Sequence, residues 1–185
     1  MQINFKKIES VAESEVIRNL YLTAFPPNER REFDELKKQI DNDECNVNLI
    51  FVDEKIAGFI IFWNFNDFVF LEHFAIEPEL RGHGTGEKTL AKIKALYQKT
   101  IILETEPPAD EMIRRRIRFY ERNGFHLIER HYLQPSYDGK KPEVEMKLMC
   151  NSTKISSEKL DKYILHIREK VYQRIAELSL AVKKC

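Results

Sequence analysis

The chain has 185 residues, 43% of them hydrophobic, and its 30 basic residues balance its 30 acidic ones. This size suits one domain with a short appendage, and the formal net charge of zero argues against nucleic acid as the main partner. Neither the first ten residues nor the longest apolar stretch, residues 56–63, suits a signal peptide or a membrane span, so we expect a cytoplasmic protein.

Strand-like and helix-like patterns alternate along residues 1–150. In chain order they predict a strand (2–8), a helix (12–25), a helix after Pro26-Pro27 (28–41), two strands joined by a hairpin turn at 53–55 (48–52 and 56–65), a strand (68–76), a helix (85–98), a strand (101–104), a helix (110–123) and two strands (125–132 and 144–150). This order predicts an α+β domain with a largely antiparallel central sheet flanked by helices.

Residues 151–185 differ in character. A polar segment precedes a helical pattern whose apolar residues lie three or four positions apart: Leu160, Ile164, Ile167, Val171, Ile175 and Leu178. This stripe predicts an amphipathic C-terminal helix. The spacing leaves open whether that helix packs on its own domain, on a second copy in a homodimer, or on another protein.

Cysteine usage argues against two kinds of stabilising site. The three cysteines, Cys45, Cys150 and Cys185, are odd in number, and none belongs to a CxxC pair. We therefore expect neither a disulfide framework nor a metal site.

Glycines occupy alternate positions, Gly82, Gly84 and Gly86, between the strand 68–76 and the helix 85–98. Glycine permits the torsions and the close approach that bring several backbone N–H groups around one anion. The helix N-terminus behind the loop adds further N–H groups and a positive partial charge. Together they predict a pyrophosphate site, although the spacing fits neither GxGxxG nor a P-loop.

The segment RGHGTG, residues 81–86, resembles the Gln/Arg-x-x-Gly-x-Gly/Ala signature of the GNAT acetyltransferases. Residues 117–125, IRFYERNGF, resemble a later helix of that family, which ends in Tyr, polar residues and Gly-Phe. The two segments have the family's usual separation, with one short strand between them. The resemblance covers about residues 1–150 and implies transfer of an acetyl group from acetyl-CoA to a primary amine.

By this resemblance, acetyl-CoA binds where the strand 68–76 separates from its neighbour. The main chain of Phe74 and Ile76 would bond the pantetheine arm, and the Phe74 amide would donate to the thioester carbonyl. The amides of the glycine loop would hold the pyrophosphate, while the arginine that opens the loop would support it or touch a phosphate. The loop residues implied are Arg81, Gly82, His83, Gly84, Thr85 and Gly86.

Acetyl transfer to an amine requires a proton acceptor for the ammonium and a proton donor for the leaving thiolate. Tyr120 matches the family position that often serves as the acid; the alternative is a core tyrosine bonded to backbone. Glu72 is the predicted base. It lies two residues before Phe74, which predicts that both side chains share one face of the strand, and the strand is strongly apolar, which predicts a raised pKa for the carboxyl group. The alternative is a structural ion pair with an arginine.

Two further titratable side chains are candidates for the acceptor side of the reaction. His73 should point to the opposite face, where a core histidine is the alternative interpretation. Glu104, at the end of the strand 101–104, could bind a substrate amine. Many family members use water alone, so the sequence leaves open whether a dedicated base exists.

One position departs from the family pattern. Ile113 stands where many relatives have an asparagine that contacts the cofactor, and it precedes an arginine-rich run, residues 114–118. That run is either a solvated face or a contact for CoA phosphates or an acidic acceptor.

The sequence motifs do not identify the acceptor substrate. By resemblance, the loops 25–31 and 132–141 build its pocket, and both combine aromatic and charged residues. A small-molecule amine and a peptide amine both remain open. The alternative function is a catalytically weak acyl-CoA-binding regulatory or scaffold protein.

Overall fold

The computed structural model describes residues 2–173. Within that range the strands are β1 (Ile3–Lys7), β2 (Cys45–Val52), β3 (Lys55–Asn64), β4 (Phe68–Ile76), β5 (Thr100–Thr105), β6 (His126–Leu127), β7 (Tyr132–Gln134) and β8 (Val144–Cys150). The α-helices are α1 (Val11–Ser14), α2 (Arg18–Ala24), α3 (Phe33–Lys37), α4 (Thr85–Tyr97), α5 (Glu111–Arg122) and α6 (Ser157–Lys170). Two short 3-10 helices, Glu15–Ile17 and Pro78–Leu80, complete the described elements.

The eight strands of the described residues form one sheet in the order β1-β2-β3-β4-β5-β8-β6, and β7 also pairs with β8. The β4–β5 pair is parallel and all other pairs are antiparallel. The predicted α+β architecture with a largely antiparallel sheet is therefore confirmed.

Two hydrophobic cores lie on opposite faces of the sheet. One face packs against α2, α3 and α6, with Tyr21, Leu36, Phe70 and Ile167 among its buried side chains. The other packs against α4 and α5, with Leu90, Ile93, Ile117 and Phe125 among its own. We call these the α6 face and the α4 face.

Most predicted boundaries hold within one or two residues, and the helix 28–41 is the main exception. Only Phe33–Lys37 is α-helical there. The backbone before it bonds to side chains instead: Arg30 Nε donates to the Phe25 carbonyl (3.1 Å), and the Tyr21 hydroxyl donates to the Arg31 carbonyl (3.2 Å). The predicted strand 125–132 is likewise reduced to β6 and the first residue of β7.

The C-terminal helix packs on its own domain over its described length. Leu160, Tyr163, Ile167 and Val171 all belong to the core of the α6 face, and the Tyr163 ring stacks on Phe68 with centroids 4.1 Å apart. Two members of the predicted stripe, Ile175 and Leu178, lie outside the described residues. Among residues 2–173, no helix has the length and apolar character needed to cross a membrane.

Candidate active site

The strands β4 and β5 separate partway along their length. Their pairing covers Phe68–Leu71 with Thr100–Leu103 and then stops, whereas β4 continues to Ile76. The Glu77 N–H bonds the Ala57 carbonyl, on the β3 side, at 2.8 Å. Because successive backbone groups of a strand point to opposite edges, the main-chain groups of Phe74 and Ile76 face the gap. This orientation suits the predicted pantetheine site.

The glycine loop adopts the conformation that its composition predicts. Gly82 and Gly84 have φ angles of +81° and +79°, in the left-handed region that glycine tolerates best. Gly84 is also the N-cap of α4 and has no side chain to cap the first turn. A 13-residue helix thus begins at an exposed loop with its positive end uncapped by that residue, which is a donor set suited to a phosphate group.

Two residues of the loop have structural roles of their own. Arg81 Nε donates to the Ile76 carbonyl at 2.8 Å, so the side chain ties the loop to the end of β4. A Cβ at Gly86 would lie 3.0 Å from the Phe119 ring of α5, so this glycine lets α4 and α5 approach. Of the two roles predicted for Arg81, the structure shows the support of the loop.

Tyr120 lies on the α4 face, in the same cluster as Phe74. It is 8% exposed, and its ring contacts Phe119 and Phe125 at centroid distances of 5.3 and 5.8 Å. Burial raises the pKa of Tyr120 to about 12, so the hydroxyl is protonated at neutral pH. The Tyr120 ring is therefore part of the hydrophobic core of this face, and the role of its hydroxyl as the acid stays a prediction.

A β-bulge at Glu72 changes which way the end of β4 points. Ile61 pairs with His73 and Phe62 with Leu71, so Glu72 is the extra residue opposite them. The bulge places Glu72 and His73 together on the α6 face and leaves Phe74 on the α4 face. The expectations that Glu72 shares the face of Phe74, and that His73 points away from Glu72, are wrong because strict alternation does not survive the bulge.

Glu72 is a buried member of an ion pair. Its carboxylate lies 3.3 Å from Arg31 Nε and accepts a 2.6 Å bond from Trp63 Nε1. Burial alone would raise the pKa of Glu72, but the charge of Arg31, the neighbouring His73 and the bond from Trp63 outweigh it and lower the pKa. The predicted raised pKa is therefore wrong. Burial also lowers the pKa of His73 to about 4, which keeps that ring neutral.

Glu104 has the opposite environment. It is the first residue of β5 beyond the pairing with β4, and its carboxylate accepts bonds from Tyr132, from Gln134 at 2.8 Å and from Tyr172 at 2.7 Å. Burial raises the pKa of Glu104 to about 7, against the lowering effect of these three donors. Sequence reasoning missed the contribution of Tyr172, which lies beyond α6 and has no local motif.

The two loops assigned to the acceptor pocket meet on the α6 face. The Arg31 guanidinium lies 4.7 Å from the centre of the Tyr137 ring, and Lys141 Nζ donates to the Pro27 carbonyl at 2.9 Å. Burial and the neighbouring Glu106 raise the pKa of Glu29 to about 7. The two loops therefore bring aromatic, basic and acidic groups to the α6 face.

The arginine-rich run of α5 mostly pairs with carboxylates of the chain. Arg114 and Arg118 both pair with Glu111, and Arg116 pairs with Glu106. These contacts favour the interpretation of the run as a solvated, ion-paired face.

The sequence and the fold are similar to those of known proteins. A family model described as the acetyltransferase (GNAT) family matches residues 14–125. A solved structure of a candidate GNAT-family acetyltransferase from Bacteroides thetaiotaomicron is 34% identical, covering 92% of this chain and 99% of that one, with a TM-score of 0.85.

Two other similarities are narrower. The candidate acetyltransferase YjbC from Bacillus subtilis (strain 168) is 36% identical over 75 residues, which are 40% of this chain and only 38% of that relative. The spermidine N-acetyltransferase from Vibrio cholerae, solved in complex with CoA and spermine, shares the fold at 18% identity, covering 80% of this chain and 94% of that one, with a TM-score of 0.56. Since the family model matches more than half of the chain and includes both the glycine loop and Tyr120, the chain belongs to the GNAT family of acetyltransferases.

Proposed function

We propose that the chain is an N-acetyltransferase that transfers the acetyl group of acetyl-CoA to a primary amine of a small molecule or a peptide. The proposal rests on two titratable groups on the two faces of the sheet, one suited to donate a proton and the other to accept one. Tyr120, with a protonated hydroxyl, lies on the α4 face, and Glu104, with a pKa near neutrality, lies on the α6 face. An acid and a base on opposite faces suit a reaction in which one reactant enters from each side.

The α4 face has the groups that suit CoA. The loop 81–86 and the first turn of α4 would hold the pyrophosphate, and the main chain of Phe74 and Ile76 would bond the pantetheine arm. Bound acetyl-CoA supplies a thioester whose carbonyl carbon is the electrophile for the amine. The Phe74 amide would donate to the thioester carbonyl oxygen, and the Tyr120 hydroxyl would give its proton to the sulfur.

On the α6 face, the structure favours Glu104 over Glu72 as the base. Glu72 is held ionised by Arg31, and a carboxylate with a lowered pKa is a weak proton acceptor near pH 7. Glu104 takes up a proton near neutrality and would accept one from the substrate ammonium, which leaves the neutral amine as the nucleophile. The nitrogen loses its second proton when the thiolate leaves; Tyr120 protonates the thiolate and would regain its proton from solvent, so one proton is released per turnover. We assign Glu72 the positioning of Arg31 and of the acceptor loops. The rate at subsaturating acceptor should therefore rise with pH through about 7, as Glu104 loses its proton.

The test is a screen of acetyl-CoA consumption against an amine panel, followed by kinetics of three variants with the best acceptor. Glu104→Gln should lower kcat by roughly 10²–10⁴ and abolish the pH dependence near 7, because a general base is lost. Glu121→Gln, an exposed carboxyl on α5, serves as the matched control and should retain the wild-type rate. Glu72→Gln should chiefly lower stability.

Two results would contradict this proposal. If Glu104→Gln keeps the wild-type rate and pH profile, Glu104 is not the base. If no amine is acetylated while CoA still binds, the regulatory or scaffold alternative is favoured.

A homodimer through the C-terminal helix also stays a prediction, which sedimentation velocity can test. Leu165, 38% exposed on α6, is available for such a contact.

A further inference from the structure

Tyr172 lies two positions after the end of α6, and its side chain reaches Glu104 on the α6 face. We call this part of the α6 face, which is proposed to bind the amine acceptor, the acceptor side. The Tyr172 hydroxyl donates to Glu104 Oε2 at 2.7 Å and accepts a 3.0 Å bond from Gln134 Nε2. Tyr172 is 1% exposed, and its ring lies 4.8 Å from that of Tyr137. This tyrosine is therefore part of the buried polar network, although 68 positions separate it from Glu104 in sequence.

We infer that Tyr172 is a positioning residue for the Glu104 carboxylate, so that the segment after α6 completes the acceptor side of the site. The inference deepens the proposed function and rests on the role given there to Glu104.

The position of Tyr172 is fixed from several directions. Arg31 donates from Nη2 to the carbonyl of Val171, which is completely buried, and thereby ties the end of α6 to the acceptor loop 25–31. Gln134 Nε2 contacts both the Tyr172 hydroxyl and Glu104 Oε2. A side chain held in this way delivers its O–H in one direction, and that direction is toward the carboxylate.

The groups around Glu104 show what Tyr172 contributes. Tyr132 donates to Oε1, and Gln134 and Tyr172 donate to Oε2. Glu72 on β4 and the tyrosine of the loop 132–141, Tyr137, are the further titratable groups that interact with it. Every donor stabilises the ionised carboxylate, so the removal of one donor should make Glu104 hold its proton to higher pH.

A titration by carbon-13 NMR of the full chain, labelled at the glutamate side-chain carboxyl, tests this without an acceptor. Among residues 2–173, the pKa is raised to about 7 for two glutamates, Glu104 and Glu29, and the Glu104→Gln and Glu29→Gln variants assign their signals independently. Tyr172→Phe should raise the Glu104 midpoint by about one pKa unit, the size expected for one hydrogen bond to a charged group.

The matched control is Tyr163→Phe. This tyrosine lies on α6, is 4% exposed and donates its hydroxyl to the Asp67 carbonyl at 3.2 Å, away from Glu104. It should lose a buried hydrogen bond, as Tyr172→Phe does, and leave the Glu104 midpoint unchanged. Once an acceptor is known, kcat/KM can be measured against pH. The apparent pKa on the acidic side of that profile should shift to a higher pH in Tyr172→Phe and stay unchanged in Tyr163→Phe.

The outcomes separate the inference from the function on which it rests. An unchanged Glu104 midpoint in folded Tyr172→Phe, or an equal shift in Tyr163→Phe, overturns the positioning role even if Glu104→Gln is inactive. A shifted midpoint with fully active Glu104→Gln overturns the proposed base instead.

Discussion

The two faces of the sheet at the β4–β5 gap build their halves of the site in different ways. On the α4 face, the groups proposed to bind phosphate are main-chain amides of one continuous loop, residues 81–86. On the α6 face, the polar network is built from side chains of separate segments, and its members include Arg31, Glu72, Glu104, Gln134 and Tyr172. The first half depends on local backbone conformation, whereas the second depends on the whole fold.

Within the α6 face, two buried carboxylates show how strongly the neighbours decide the chemistry. Glu72 has a cationic partner, Arg31, and its pKa is lowered. Glu104 is bonded by Tyr132, Gln134 and Tyr172, and no salt bridge involves it among the described residues, so burial prevails and its pKa rises to about 7. The same residue type is therefore held ionised by a cation at one position and has a pKa near neutrality at the other.

The largest expected effect tests the chemistry of the α4 face. Tyr120→Phe keeps the ring between Phe119 and Phe125 but removes the proton donor, so kcat should fall by roughly 10²–10⁴ with CoA affinity retained. Tyr97→Phe, a tyrosine packed against the same core, is the control and should keep its rate. Stopped-flow detection of free thiol and a melting curve on the same preparation check both. A fully active Tyr120→Phe would remove the tyrosine from the mechanism.

The next effect tests the stability of the α6 face. Arg31→Met leaves the Glu72 carboxylate buried without its cation, which should lower the free energy of unfolding by about 3–5 kcal/mol. The double variant Arg31→Met/Glu72→Gln should recover much of this loss, because no uncompensated charge remains. Lys38→Met breaks an exposed ion pair with Glu35 and should leave the unfolding free energy nearly unchanged. Urea unfolding gives all three values, and equal losses in the single and double variants would refute the explanation.

The smallest effect tests the main-chain character of the glycine loop. Gly84→Val places a β-branched side chain at φ +79° where the phosphate would approach, so CoA affinity should fall about tenfold or more, roughly 1.4 kcal/mol. Gly139→Val imposes similar strain at φ +71° in the loop 132–141, outside the glycine loop, and should leave CoA affinity intact. Calorimetry with CoA measures both. Equal affinities in the two variants would contradict the placement of the phosphates.

The sequence predicts the α4 face better than the α6 face, because the first depends on local backbone conformation and the second on contacts between distant segments. The bounds of β4 and β8 and the start of α4 follow from local patterns and agree with the structure. The bulge at Glu72 does not, because a one-residue insertion in a strand depends on the partner strand. The approach of Tyr172 to Glu104 has no local signal at all. The helix 28–41 is shortened where the Arg30 guanidinium and the Tyr21 hydroxyl bond the Arg31 carbonyl, a group that the predicted helix would use itself.

The bond between Arg31 and the Val171 carbonyl joins residues 140 positions apart. A ribosome makes a chain from its N-terminus, at about 5–20 residues per second. The strands β1 to β4 and the glycine loop therefore leave the ribosome well before the residue that closes the acceptor side. A nascent chain that ends before residue 171 has Arg31 and Glu72 without that cover, so the half of the site proposed to bind the acceptor is completed last during synthesis.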